Sequence, residues 1–95
     1  MTMYVGILDG KGDVWGVRIP DVPGCYGGGA TPEAAIADAA SALAELMGDG
    51  ETVRSPRDIQ AVLADPSVTL DTLRGDTLVL IAAPTKKGKK VREIA

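Results

Sequence analysis

The stretch "IPDVPGCYGGGATPEAAIADAASALAEL", Ile19 to Leu46, constrains this chain more than any other part of it. Pro20 and Pro23 fix φ and push the residues before them toward extended backbone. Gly24 follows and permits a turn that side chains resist. Gly27, Gly28 and Gly29 then allow close approach to neighbouring backbone. Thr31-Pro32-Glu33 is a helix start: Thr31 caps, Pro32 suits the first helical position, and Glu33 favours the positive end of the dipole. A stiff corner, a permissive strand and a helix are thus expected in immediate succession.

The flanking sequence extends this plan. Tyr4 to Leu8 and Val14 to Ile19 read as strands, and "DGKGD" between them reads as a hairpin turn. Trp15, Val17 and Ile19 alternate with Gly16 and Arg18 and so share a face. Pro20 ends that strand, and Cys25-Tyr26 opens a short third one. Ile36, Ala39 or Ala40, Leu43, and Leu46 or Met47 form one apolar helical stripe that stops at Gly48. "SPRDIQAVLADP" predicts a second helix, capped by Ser55, with Pro56 first and Asp65-Pro66 at its end. The apolar run "DTLVLIAAP" predicts a central strand buried on both faces. The order is ββ(β)ααβ: an α+β domain with a three- to four-stranded, mainly antiparallel open sheet and helix packed on one face.

Ninety-five residues make one domain. Through Pro84, twelve acidic residues oppose five basic ones, a balance of −7. From Thr85 on, Lys86, Lys87, Lys89, Lys90 and Arg92 face only Glu93, a balance of +4. The expected division is therefore an acidic body, residues 1–84, and a basic linker or tail, residues 85–95. Cys25 is the single cysteine, so no internal disulfide forms and a reducing, cytoplasmic setting is expected. No apolar run is long enough to span a bilayer, and no secretory signal opens the chain.

The chemistry on offer is sparse. There is no histidine, which removes the usual general base, the common nucleophile triads and most zinc sites. Cys25, after Pro-Gly at a strand start, reads as a small buried apolar group rather than a nucleophile. Asp9, Asp13 and Asp21 are the carboxylates from which a metal-dependent nuclease would have to be built. Asp9 and Asp13 flank a turn, however, where aspartate serves local backbone bonding. "GCYGGGATP" matches no phosphate loop. "KKGKK" alone gives weak, salt-sensitive attraction to phosphates. No catalytic residue, cofactor or metal is expected, and the chain does not read as an enzyme.

The hairpin followed by "PDVPGC" (Pro20 to Cys25), with Gly29, Thr31 and Ala34 opening the helix, resembles the N-terminal domain of HicB-type antitoxins. The likeness is close over about residues 3 to 47 and holds in layout alone to residue 84. It implies a partial RNase-H-like fold without a working active site. It also implies a HicA-type partner, a toxin that cleaves mRNA, neutralised by a domain that covers its RNA site. An acidic body suits a basic RNA-binding surface. The family also implies oligomers and a C-terminal DNA-binding module that regulates its own operon. This chain ends at "KKVREIA", where such a module would begin with Val91 to Ile94 as a strand. Operator binding is therefore expected only of a longer protein that carries the module. The competing readings are a metal-dependent nuclease of RNase-H-like type and a transcriptional regulator acting through the tail.

The residues expected at a partner surface are Asp9, Asp13, Trp15, Asp21, Val22 and Tyr26. Two of them have structural roles open to them: a lone strand tryptophan is ordinarily core, and Asp21 can stabilise its own turn.

Overall fold

A computed structural model describes residues 2–48 and 55–83. The tail beyond Ala83, including the strand expected at Val91 to Ile94, lies outside the described residues. The order is β1 (Thr2–Lys11), β2 (Val14–Arg18), β3 (Tyr26–Gly29), α1 (Pro32–Gly48), α2 (Ile59–Leu63), α3 (Pro66–Leu73) and β4 (Thr77–Ala83). The four strands form one antiparallel sheet in the order β3-β2-β1-β4. The α+β class and the antiparallel open sheet are as the sequence predicts.

The hairpin closes tightly. Lys11 pairs with Val14, leaving Gly12 and Asp13 as a two-residue connection, and Gly12 takes φ +61°. The corner after β2 is a run of short turns. Val22 N–H donates to the Ile19 carbonyl at 2.9 Å, Cys25 N–H to the Val22 carbonyl at 3.0 Å, and Gly24 sits at φ +90°. Thr31 caps α1 as expected, its hydroxyl accepting from Ala34 N–H at 3.0 Å.

Strand alternation divides the core in two. Tyr4, Leu8, Val17 and Ile81 point to the inner face, where Ala35, Ala39 and Leu43 of α1 meet them. Val5 and Ile7 point to the outer face and pack against Val62 of α2 and Val68 of α3. Each fully buried Leu, Ile or Val contributes on the order of 1.5–3 kcal/mol, so the larger inner cluster dominates.

The glycine triplet explains how α1 packs. A Cβ on Gly27 would lie 2.2 Å from the Ala39 backbone nitrogen and 2.7 Å from the Ala35 carbonyl oxygen. Helix backbone therefore rests directly on strand backbone, which also accounts for the alanine-rich helix face.

Four sequence expectations need correction. Helix covers both faces of the sheet rather than one, because β1 carries apolar side chains in both directions. The second helix begins later than Ser55: residues 55–58 are non-helical, and Asp58 is the cap, accepting from Ala61 N–H at 2.8 Å. Asp65-Pro66 ends α2 but also starts α3, with Asp65 as cap and Pro66 in the first turn. The "LVLIAA" run is likewise not central. It forms edge strand β4, while β1, buried from Tyr4 through Leu8, holds a central place.

Candidate protein-docking surface

The outer face of β2 and β3 has an unusual relief. Register pairs Arg18 with Tyr26 and Gly16 with Gly28, and it pairs Asp9 of β1 with Gly16. The row Asp9–Gly16–Gly28 thus crosses three strands with one side chain. It forms a shallow recess of bare backbone bordered by Arg18 and Tyr26 on one side and Val14 and Lys11 on the other. Asp9 stands at its inner end, where a Cβ on Gly16 would be 3.8 Å from Asp9 Oδ1. At its outer end Gly28 N–H donates to Asp38 Oδ2 of α1 at 2.9 Å. Tyr26 is 64% exposed and Val14 71% exposed, so two large apolar side chains flank the recess in contact with water.

An ion-pair chain frames the side toward α3. Arg18 Nη2 bonds Asp71 Oδ2. Arg74 Nη2 reaches Asp71 Oδ1 at 3.3 Å and Asp76 Oδ2 at 3.0 Å. The hydrogen bond from Arg18 holds the Asp71 carboxyl below its ordinary range, and the charge of Arg74 adds to this. Arg74 is raised chiefly by its bond to Asp76, with the more distant charge of Asp9 contributing. Leu70 and Leu73 of α3 are exposed beside this chain.

The six residues singled out from sequence separate into three places. Asp9 and Tyr26 lie on the outer face at the recess, and Asp13 is exposed at the hairpin tip next to it. Trp15 is half-buried on the inner face, packed on the main core, with Nε1 donating to the Gly12 carbonyl at 2.9 Å. Asp21 and Val22 are inside the corner, and burial keeps them from offering a surface. Asp21 is 1% exposed. Its Oδ2 accepts from Arg57 N–H at 2.7 Å and its Oδ1 from Arg57 Nε at 2.5 Å. This carboxylate pins the segment leading into α2 onto the corner. Arg57 Nη2 also reaches Asp65 Oδ2 at 3.3 Å. The hydrogen bonds from Ser67 lower the Asp65 pKa, and those from Arg57 assist.

Sequence reasoning missed Arg18, Asp38 and the pair Asp71–Arg74. The signal for Arg18 was present in the strand alternation, which turns it away from Val17 and Ile19. No local signal pairs it with a residue 53 positions away.

Chemically, the surface is suited to binding. Burial raises the Cys25 thiol above its ordinary pKa, which works against a reactive thiolate. Among the described residues, no three carboxylate or thiol groups gather so as to hold a metal ion. Within the same residues, no helix is long and apolar enough to cross a membrane.

Comparison with known proteins places the fold. Among curated proteins none matches the chain. Its fold is shared with one chain of the HicA3 and HicB3 toxin–antitoxin complex, at TM-score 0.65 and 22% identity over 88% of this chain and 100% of that one. The N-terminal domain of the Burkholderia pseudomallei antitoxin HicB is similar at TM-score 0.66 and 22% identity, with the same coverage of both chains. A further structure of that antitoxin aligns with 92% of this chain and 65% of its own length, at TM-score 0.67 and 22% identity. The sequence itself, over residues 4–87, matches the family described as "HicB_like antitoxin of bacterial toxin-antitoxin system". This chain, with its proline corner, glycine strand and two-faced sheet, belongs to that HicB-like antitoxin family.

Proposed function

We propose that this protein neutralises a HicA-type, mRNA-cleaving toxin by direct binding, laying the outer face of β2 and β3 over the toxin's RNA-binding surface. The observation that carries the proposal is the recess at Gly16 and Gly28, flanked by exposed Tyr26 and Val14 and closed at its ends by Asp9 and Asp38. An RNA-binding surface is basic, and its lysines or arginines fit a bare groove ending in carboxylates. The −7 balance through Pro84 speeds capture of such a partner. Affinity then rests on a few desolvated anchors, of which an exposed tyrosine is the typical kind. Neutralisation is by occlusion and needs no turnover by this chain.

The test is co-expression with the small basic product of the adjacent open reading frame, followed by binding measurements on the purified pair. Tyr26→Ala is expected to weaken the complex by about 2 kcal/mol, or roughly thirty-fold in Kd. Its thermal stability should stay unchanged, because the ring lies in solvent. If the neighbour is not toxic, or the pair separates on purification, the function is wrong. If the pair holds and Tyr26→Ala binds unchanged, the surface is wrong.

A further inference from the structure

Arg18 borders the recess and is held by a helix that lies outside it. In the register of β1 and β2, Arg18 stands opposite Ile7 and Gly16 opposite Asp9, so Arg18 and Asp9 are diagonal neighbours on the outer face. Such neighbours are about 7–8 Å apart, within reach of a long side chain. Gly16, beside both, raises no obstacle: a Cβ there would meet the Gly27 carbonyl oxygen at 3.7 Å and Asp9 Oδ1 at 3.8 Å. Among the described residues no ion pair reaches Asp9, from Lys11 two positions along its strand or from any other cation. Arg18 is instead drawn the other way. Its Nη2 bonds Asp71 Oδ2 of α3, 53 positions along the chain. The Asp71 side chain is 17% exposed and that of Arg18 33%, so the carboxylate is the better anchored end of the pair.

We propose that Asp71 is a positioning residue for the recess: by holding Arg18 toward α3 it keeps the guanidinium off Asp9, so the Asp9 carboxylate stays available to a cation of the partner. The inference rests on the proposed function in taking the recess as the partner's site, and adds to it a self-blocking contact that α3 prevents. The two cations compete for one acceptor. A guanidinium of this chain needs no association step, so its effective concentration at Asp9 is high whenever it is released. Its aliphatic stem, laid across Gly16, also fills the bare floor on which a partner side chain would rest. Arg74 does not take over the blocking role, because without Asp71 it still has Asp76 at 3.0 Å.

The experiment compares Asp71→Asn with Asp71→Asn/Arg18→Gln in the full chain. Both lack the same partly exposed bridge, so both should stay folded, with any loosening of α3 common to them. Only the first carries a cation free to reach Asp9. Affinity for the purified product of the adjacent open reading frame is expected to fall about five-fold in Asp71→Asn, the worth of an exposed ion pair, and to recover in the double variant. Unchanged affinity in Asp71→Asn overturns the proposal. A double variant as weak as Asp71→Asn overturns it too, since Asp71 would then be merely structural. A second arm needs no partner. In nuclear Overhauser spectra of the antitoxin alone, Asp71→Asn should bring the Arg18 side-chain protons into contact with the Gly16 α protons and the Asp9 β protons. Asp71→Asn/Asp9→Asn should lose those contacts. Their absence from Asp71→Asn overturns the proposal whatever the toxin does. If they appear and the native chain fails to bind the neighbour's product, the hold on Arg18 stands and the proposed function falls.

Discussion

The edges formed by β3 and β4 solve the same problem in opposite ways. β3 is four residues long, three of them glycine, and α1 lies directly on its backbone. Its Gly28 N–H is taken by Asp38 of that same helix. β4 is longer, apolar and bears none of these protections. The β3 edge is tied at Gly28 to the helix that follows it, while among the described residues no strand pairs with the outward edge of β4. The comparison teaches that the glycines of one strand divide their work: Gly27 and Gly29 let α1 close on the inner face, while Gly28 leaves the outer face bare. The aliphatic run of β4 carries no charge, proline or glycine of its own.

Substitution at β3 should break this contrast most sharply. In Gly27→Ala the new methyl would overlap helix backbone, which cannot yield as a side-chain tip can. The expected cost is about 3 kcal/mol or more. Gly28→Ala, whose Cβ would be 3.5 Å from the Trp15 carbonyl oxygen, should be nearly neutral. Urea denaturation of the two variants measures the difference, and equal midpoints would refute direct helix-on-strand packing. Next in size is Asp21→Ala, which strips Arg57 of two charge-assisted bonds inside the corner. A loss of about 2 kcal/mol is expected, read from the same curves.

Asp38→Ala should cost on the order of 1 kcal/mol. Its more telling readout is faster hydrogen exchange at Gly28 N–H, which makes the β3 edge resemble that of β4. The smallest effect is acidic. Asp71 is held below its ordinary pKa, so its stabilising contribution is complete above that ordinary value and lost as pH falls through the lowered one. Stability should therefore decline as pH drops below about 4, and Asp71→Asn should flatten that slope. An unchanged slope would show that the Arg18 pairing is not coupled to folding.

What the sequence made legible was local. The Gly12-Asp13 hairpin, the Thr31 cap with Pro32 and the corner from Pro20 to Gly24 each declare themselves within a few residues. Turn and cap chemistry depends on immediate neighbours. What stayed hidden was relational. Leu78 to Ala83 reads as a buried strand, yet its place at an edge depends on which strands pair, and β1 is disguised as a lesser run by Gly6 in its middle. Pro66 announces a helix end and a helix start equally well; here it does both, and the second helix shows itself only through Val68 packing under β1. Asp21 looked like a surface acid because its partner, Arg57, is 36 positions away. The docking recess needed the register, since Gly16 and Gly28 become one gap only when the strands are aligned.

The attachment of α2 and α3 has a consequence for how the molecule moves. These helices meet the sheet through Val62 and Val68, and two bridges, Arg57–Asp21 and Arg18–Asp71, secure them at separated points. The principal core under α1 meets this attachment at Asp21, whose charge acts on Tyr4. The smaller cluster, with only two buried residues on the helix side, is therefore the part expected to open first, baring Val5 and Ile7 below the free energy of global unfolding, with faster amide exchange in α2 and α3 than in α1 as the sign of it.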